Sequence, residues 1–153
     1  MWRPIDAFRE MARNDEAAFS FLSTFYLWVQ SQDDLIDRDK PVDVKHAIGF
    51  NLGLLDTFAA NPFFQKHRAF LMPVIIVSAL AYIASEDFKR KTEVLDRITA
   101  QVLKSQYLDV FLAVCYCVGG FDHAVAMSAK YRDYSFDDEK PTGATEATAP
   151  LPQ

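Results

Sequence analysis

Asp33, Asp34 and Asp37 stand as D-D-x-x-D in the run Val29-Gln-Ser-Gln-Asp-Asp-Leu-Ile-Asp37. On a helix, residues four apart are neighbours, so the carboxylates of Asp33 and Asp37 can share one divalent cation, with Asp34 in support. Carboxylates and water are the ligands Mg²⁺ prefers, and Mg²⁺ commonly brings phosphate oxygens with it. The run continues the stripe that carries Leu22, Tyr26 and Val29, so an apolar helix face turns acidic toward its end. Carboxylates in a last turn oppose the helix dipole at roughly 0.3–1 kcal/mol each unless a cation offsets them. The plain alternative is a helix end that leaves the core for water, with Arg38, Lys40 and Lys45 balancing Asp34, Asp39 and Asp43.

Further polar residues on apolar stripes are weaker candidates for the same site. Asn51 lies in line with Ile48 and Leu55, and Asp122 sits one turn after Val118. As structural residues, Asn51 would be a hydrogen-bonded buried amide and Asp122 a helix cap after Gly119-Gly120. Glu86 and Asp87 follow the most apolar segment, and Lys40 and Lys45 are the nearest bases for a phosphate. His46, His67 and His123 share no metal-ligand spacing. His46 belongs to a surface turn, His67 to a basic patch with Lys66 and Arg68, and His123 reads as a satisfied structural histidine beside Asp122. No serine or cysteine has a nucleophile setting and no glycine-rich phosphate loop occurs, so no catalytic residue is assigned.

The nine residues Val29–Asp37 resemble the second aspartate-rich motif of trans-prenyl diphosphate synthases, F-Q-x-x-D-D-x-x-D, with Val29 in place of the usual Phe. The resemblance implies a helix facing a cavity, Asp33, Asp34 and Asp37 as Mg²⁺ ligands against a diphosphate, and Gln30 as the motif glutamine. Those synthases also require an earlier aspartate-rich motif, an arginine pair and about twice this length, which excludes a complete enzyme of that family. Small helical nucleotide pyrophosphohydrolases are similar in architecture only, because their glutamate-rich pairs are missing. In overall character, with Asp-Asp-Leu-Ile-Asp-Arg-Asp-Lys-Pro, the chain resembles small acidic accessory proteins encoded by phages.

The elements that would position these residues are helical. The chain has 153 residues, half of them hydrophobic, with thirteen Phe and six Tyr, enough for one well-buried domain. Five Gly and few turn clusters argue against a many-stranded fold. Pro4 opens a short helix to about Arg13, with Ile5, Phe8 and Met11/Ala12 as its apolar edge. Asn14 or Asp15 caps a second helix over about 16–37, ended by Pro41. A third spans about 42–60, with Ile48, Leu52, Leu55 and Phe58 at helical spacing, and Asn61-Pro62 stops it. The fourth runs to about Ser85, is apolar nearly all round and therefore central, and is kinked or broken at Pro73. The charged block 85–97 reads as a solvated turn and helix start. Thr92 to Gly119 forms one long helix burying Val94/Leu95, Ile98, Val102, Leu108, Phe111 and Cys115. Gly119-Gly120 hinges it before a last helix, 121–134. The expectation is an all-α bundle of five or six helices over residues 1–136, with a flexible acidic Pro-Thr-Ala tail over 137–153.

Composition narrows the function. A net charge of −5 offers no footprint for nucleic acid. Cys115 and Cys117, two apart on a helix, suit packed thiols in a reducing compartment, and the amino-terminal residues lack the order of a secretory signal, so a cytoplasmic location is expected. The apolar stretches 69–84 and 108–121 are shorter than the ~20 residues that cross a bilayer and read as buried core helices. The first expectation is an acidic helical accessory module that binds a protein partner or itself, without catalysis. The alternative is a Mg²⁺-dependent enzyme acting on a diphosphate or nucleoside phosphate, and a third, weaker, is peripheral membrane attachment through 69–84. A binding module predicts a large exposed apolar patch; an enzyme predicts that Asp33, Asp37 and another carboxylate converge.

Overall fold

The computed structural model describes residues 4–37, 41 and 43–132. It is an all-α bundle of six helices: α1 (Pro4–Ala12), α2 (Glu16–Asp37), α3 (Val44–Ala60), α4 (Pro62–Lys89), α5 (Val94–Lys104) and α6 (Tyr107–Tyr131). The tail expected from 137 onward lies outside the described residues.

Local chemistry sets most of the boundaries. Arg13 and Asn14 adopt positive φ and turn the chain out of α1, and the Asp15 carboxylate then accepts from the Ala18 amide at 2.9 Å, capping α2. Asp43 caps α3 by accepting from the amides of Lys45 and His46. Asn61 closes α3 and opens α4. Its side-chain oxygen accepts from the Phe64 amide and its Nδ2 donates to the Ala17 carbonyl of α2, both at 2.9 Å. Pro62 follows at the first helical position, where its missing N–H costs nothing.

The core lies where α1, α2, the first half of α4 and α6 meet. Phe8, Phe21, Phe25, Phe64 and Phe111 are fully buried there. Phe25 meets Phe111 edge-on at 5.9 Å between ring centroids, and Phe21 stacks on Phe64 at 5.5 Å. Helix α2 is the hub, packed on α1, α3, α4 and α6, whereas α5 packs chiefly on α4.

Three expectations about the elements are corrected. The charged block after Ser85 forms its exposed turn only over 90–93, before α5 starts at Val94; ahead of it Ser85 is buried, Glu86 and Lys89 form an i,i+3 pair, and α4 runs to Lys89 without a break at the exposed Pro73. The long helix from Thr92 is divided at Ser105-Gln106, where the Ser78 hydroxyl donates to the Gln106 carbonyl at 3.0 Å and fastens the turn to α4. Gly120 does hinge α6, with φ 76° and ψ −169°.

The third correction is the largest. Leu52, Leu55 and Ile48 of α3, and Val94, Leu95, Ile98 and Val102 of α5, expected in the core, are exposed. Helix α4 is not surrounded either: Phe70, Ile76, Val77, Leu80 and Ile83 face out. Both α4 and the stretch Val94–Tyr131 are long and apolar enough to cross a membrane by length and composition, and only 28% of the most apolar window of α4 is buried.

Candidate functional site

The acidic end of α2 is where the sequence concentrates its chemistry. Asp33 lies there on the side turned to α4 and α5. Its Oδ1 accepts a hydrogen bond from the Tyr82 hydroxyl at 2.6 Å and pairs with the Lys104 ammonium at 2.8 Å. Tyr82 belongs to α4 and Lys104 ends α5, so one carboxylate ties three helices together. The Asp33 side chain is 26% exposed and that of Lys104 31%, half-buried positions in which the pair is worth more than a fully solvated one. Lys104 therefore supplies the positive charge that an acidic helix end calls for.

Among the described residues, Asn51 and Asp122 do not gather around Asp33, and the Asp37 side chain lies outside the described residues. Asp34 is exposed and lines a cleft with Gln30, Pro41, Asp43 and His46 at the start of α3. Asp37 is the last residue of α2, while Arg38 and Lys40 lie outside the described residues. Lys45 is exposed in the first turn of α3. Asn51 is exposed rather than buried. Its Oδ1 accepts from the Trp28 indole N–H at 3.0 Å and its Nδ2 donates to the Ala47 carbonyl at 2.8 Å, which joins α3 to α2. Asp122 is exposed on α6, and its neighbour His123 bonds the Met11 carbonyl of α1 at 2.9 Å, near the opposite end of α2 from Asp33. Among the described residues no three His, Cys, Asp or Glu side chains come together as a metal site. The phenol and the ammonium on Asp33 Oδ1 make it part of an internal ion pair.

Two hollows flank the Asp33 tie. An apolar groove of about 230 Å³ separates α2 from α4, walled by Trp28, Val29, Ile36, Ile75 and Tyr107. Gln32 projects into it, with its Nε2 buried and bound to no acceptor among the described residues. On the other side, Glu86, Lys89, Arg97 and Lys104 line a polar cleft of about 260 Å³. Glu86 Oε1 is buried there without a hydrogen bond, 3.8 Å from the Lys89 ammonium. Burial pushes the Cys115 thiol up to about 12 and raises that of Cys117, so neither forms a thiolate nucleophile at neutral pH.

What the sequence did not bring out is the outer face. Thirteen of the nineteen exposed large hydrophobics among the described residues fall on α3, α4 and α5. Val44, Ile48, Leu52 and Leu55 make one stripe on α3; Ile76, Val77, Leu80 and Ile83 make another on α4; Val94, Leu95, Ile98 and Val102 make a third on α5. The available signal was the all-round apolarity of α4, which is as consistent with two partners as with a central place. No protein-family model, no curated protein and no solved structure matches this chain.

Proposed function

We propose that this chain is a non-catalytic helical interaction module that docks a protein partner through the exposed apolar stripes of α3, α4 and α5. The observation that supports this reading is the run of exposed Val, Ile and Leu on these helices. A soluble monomer rarely leaves a contiguous apolar patch beyond a few hundred Å² uncovered. The acidic balance keeps such a protein soluble while its partner is absent. Asp33 then serves the fold: with Tyr82 and Lys104 it holds the hairpin of α4 and α5 against α2.

The enzyme reading, Mg²⁺-dependent attack on a diphosphate or nucleoside phosphate through Asp33 and Asp37, has less support. A metal at Asp33 would first have to displace the Lys104 ammonium, and Asn51 and Asp122 are engaged elsewhere or remote.

Two measurements test the proposal. A photoreactive side chain placed at Leu52, Val77 or Ile98 should capture a protein in cells, whereas the same group at Glu16, exposed at the start of α2, should not. Equal capture at all four positions, or none at any, refutes the docking face. Melting of the pure protein with millimolar Mg²⁺ should show no rise in Tm. A rise that Asp33→Asn abolishes would move the assignment to the enzyme, because a ligand of the folded state must stabilise it by mass action.

A further inference from the structure

The outward face of α4 has a finer pattern than apolarity. Its residues recur at seven: Lys66, Pro73, Leu80 and Asp87 form one set, and Ala69, Ile76 and Ile83 the other, spaced three residues later. Phe70 and Val77 flank the second set. All of these are exposed. The side chains that α4 buries, among them Leu71, Ile75, Ser78, Ala81 and Ser85, occupy the opposite side of the helix. Between the charged ends, Ala69, Ile76, Leu80 and Ile83 follow the 3.5-residue apolar spacing of a helix that packs lengthwise on another helix. A bilayer-facing surface has no need of that period.

The charges at the two ends give the partner's identity. The seam begins with a cation, Lys66, and ends with an anion, Asp87, and neither forms an ion pair among the described residues. Its centre falls between Ile76 and Val77. Turn a second copy of α4 antiparallel about that point and Lys66 comes level with Asp87, Phe70 with Ile83, Pro73 with Leu80 and Ile76 with Val77, while Ala69 comes level with the half-buried Ala84. The two ends lie about 30 Å apart along the helix, and both ion pairs close together only in this register. A two-fold interface demands this kind of self-complementarity.

We infer that α4 is the seam of an antiparallel two-fold homodimer, with Lys66 of each copy paired to Asp87 of the other. The inference rests on the proposal that the outer apolar face is a docking surface, and it names a second copy of this chain as the occupant. The five large apolar side chains of the seam are 46–64% exposed, so at roughly 60–120 Å² each when fully exposed they offer on the order of 200–300 Å² per copy. That is below the size of a standard interface, so the dimer is weak, reversible and forms with rising concentration. A bilayer is the poorer occupant, since a net charge of −5 is repelled by anionic lipid.

Sedimentation of the purified full chain at increasing concentration tests this. The expected result is a shift from one chain mass to two. Leu80→Glu, an exposed position, should abolish the shift while leaving the helical circular dichroism unchanged. Lys66→Glu and Asp87→Lys, each of which sets like charges against each other twice per dimer, should weaken association on the order of tenfold. The two substitutions together should restore it. Under oxidation, Val77→Cys should give a disulfide-linked dimer from a single variant, because the position lies beside the two-fold axis, whereas Lys66→Cys should do so only when mixed with Asp87→Cys.

A chain that stays monomeric at every concentration overturns the homodimer, as does a dimer indifferent to both charge reversals. If that monomer is captured at Val77 by a different protein, the module reading stands and the second copy falls. If it is captured by nothing, both fall. Sedimentation with phosphatidylcholine–phosphatidylserine vesicles that Leu80→Glu abolishes would give the seam to a bilayer and overturn the proposal.

Discussion

Helices α1 and α5 are alike in being short and amphipathic, yet they treat their apolar edges in opposite ways. Helix α1 turns Ala7, Phe8, Met11 and Ala12 inward against α2 and α6, and all four are buried. Helix α5 turns Val94, Leu95, Ile98 and Val102 outward and offers α4 only Ala100 as a buried residue. The facing surface of α4 is correspondingly small and polar, with Ser78, Ala81 and Ser85 buried along it. Amphipathic spacing therefore reports that a face is meant to be covered and leaves open whether the covering comes from within the chain. In α1 the cover is intramolecular. In α5 it is missing among the described residues, and that difference separates the part of the molecule that folds from the part proposed to bind.

The sharpest way to break this comparison is to delete matched side chains from the two helices. Phe8 packs at 5.4 Å between centroids on both Tyr26 and Phe111, so Phe8→Ala removes a fully buried ring and should cost about 3–5 kcal/mol in urea unfolding. Ile98→Ala, at a half-exposed position, should change stability by less than about 0.5 kcal/mol when unfolding is followed at low protein concentration. A loss at Ile98 comparable with that at Phe8 would mean that the α5 edge is covered within one chain, and the contrast would collapse.

That contrast also marks where the sequence was readable. Boundaries ruled by single residues came through: Asp15 before α2, Asn61-Pro62 between α3 and α4, and Gly120 inside α6 all act through local geometry. Most of the core of α2 came through as well, since Leu22, Phe25 and Val29 lie on one narrow stripe and are buried, but Ile36, expected near the same face, is exposed. Burial in α3, α4 and α5 did not, because the period of an apolar face carries no information about which neighbour meets it. The role of Asp33 was half readable. The unfavourable charge at a helix end was evident, but the cation that offsets it sits 71 positions along the chain, on a helix whose end depends on a serine of α4. Pairings of that separation are fixed by tertiary packing.

A second test sharpens the account of α1 by loosening its hold on α6. His123 reaches the Met11 carbonyl from a ring that sits against Gly119, where an added Cβ would lie 2.6 Å from His123 Cβ and Cγ. Because these are the near atoms of the histidine, the ring must move, and Gly119→Ala should cost about 1–3 kcal/mol. Gly120→Ala meets open space but inherits φ 76° and ψ −169°, a conformation nearly confined to glycine, and should cost about 1–3 kcal/mol for a different reason. The two are separable by hydrogen exchange: Gly119→Ala should release the amides of α1 selectively, and Gly120→Ala those of α6 beyond the hinge. Unchanged α1 protection in Gly119→Ala would remove His123 from the ties that hold the helix inward.

The smallest expected effect concerns the polar rim of the same contact. Glu10 of α1 accepts from the Lys130 ammonium at 2.6 Å and the Tyr131 hydroxyl at 2.5 Å, both on α6. Hydrogen bonding from Lys130, then from Tyr131, holds its carboxyl below the ordinary 4.5, with partial burial opposing. A carboxyl whose folded pKa lies below its unfolded one binds more protons in the unfolded chain. Its contribution is thus complete above 4.5 and fades as pH falls through the lower folded value. Both partners are well exposed, so solvent screening keeps the effect small, about a degree in Tm at neutral pH. Glu10→Gln should accordingly melt slightly below wild type at pH 7, and the gap should close on acidification below 4.5. A gap that persisted unchanged into acid would mean that the residue acts through packing, and that α1 is held by its apolar edge alone.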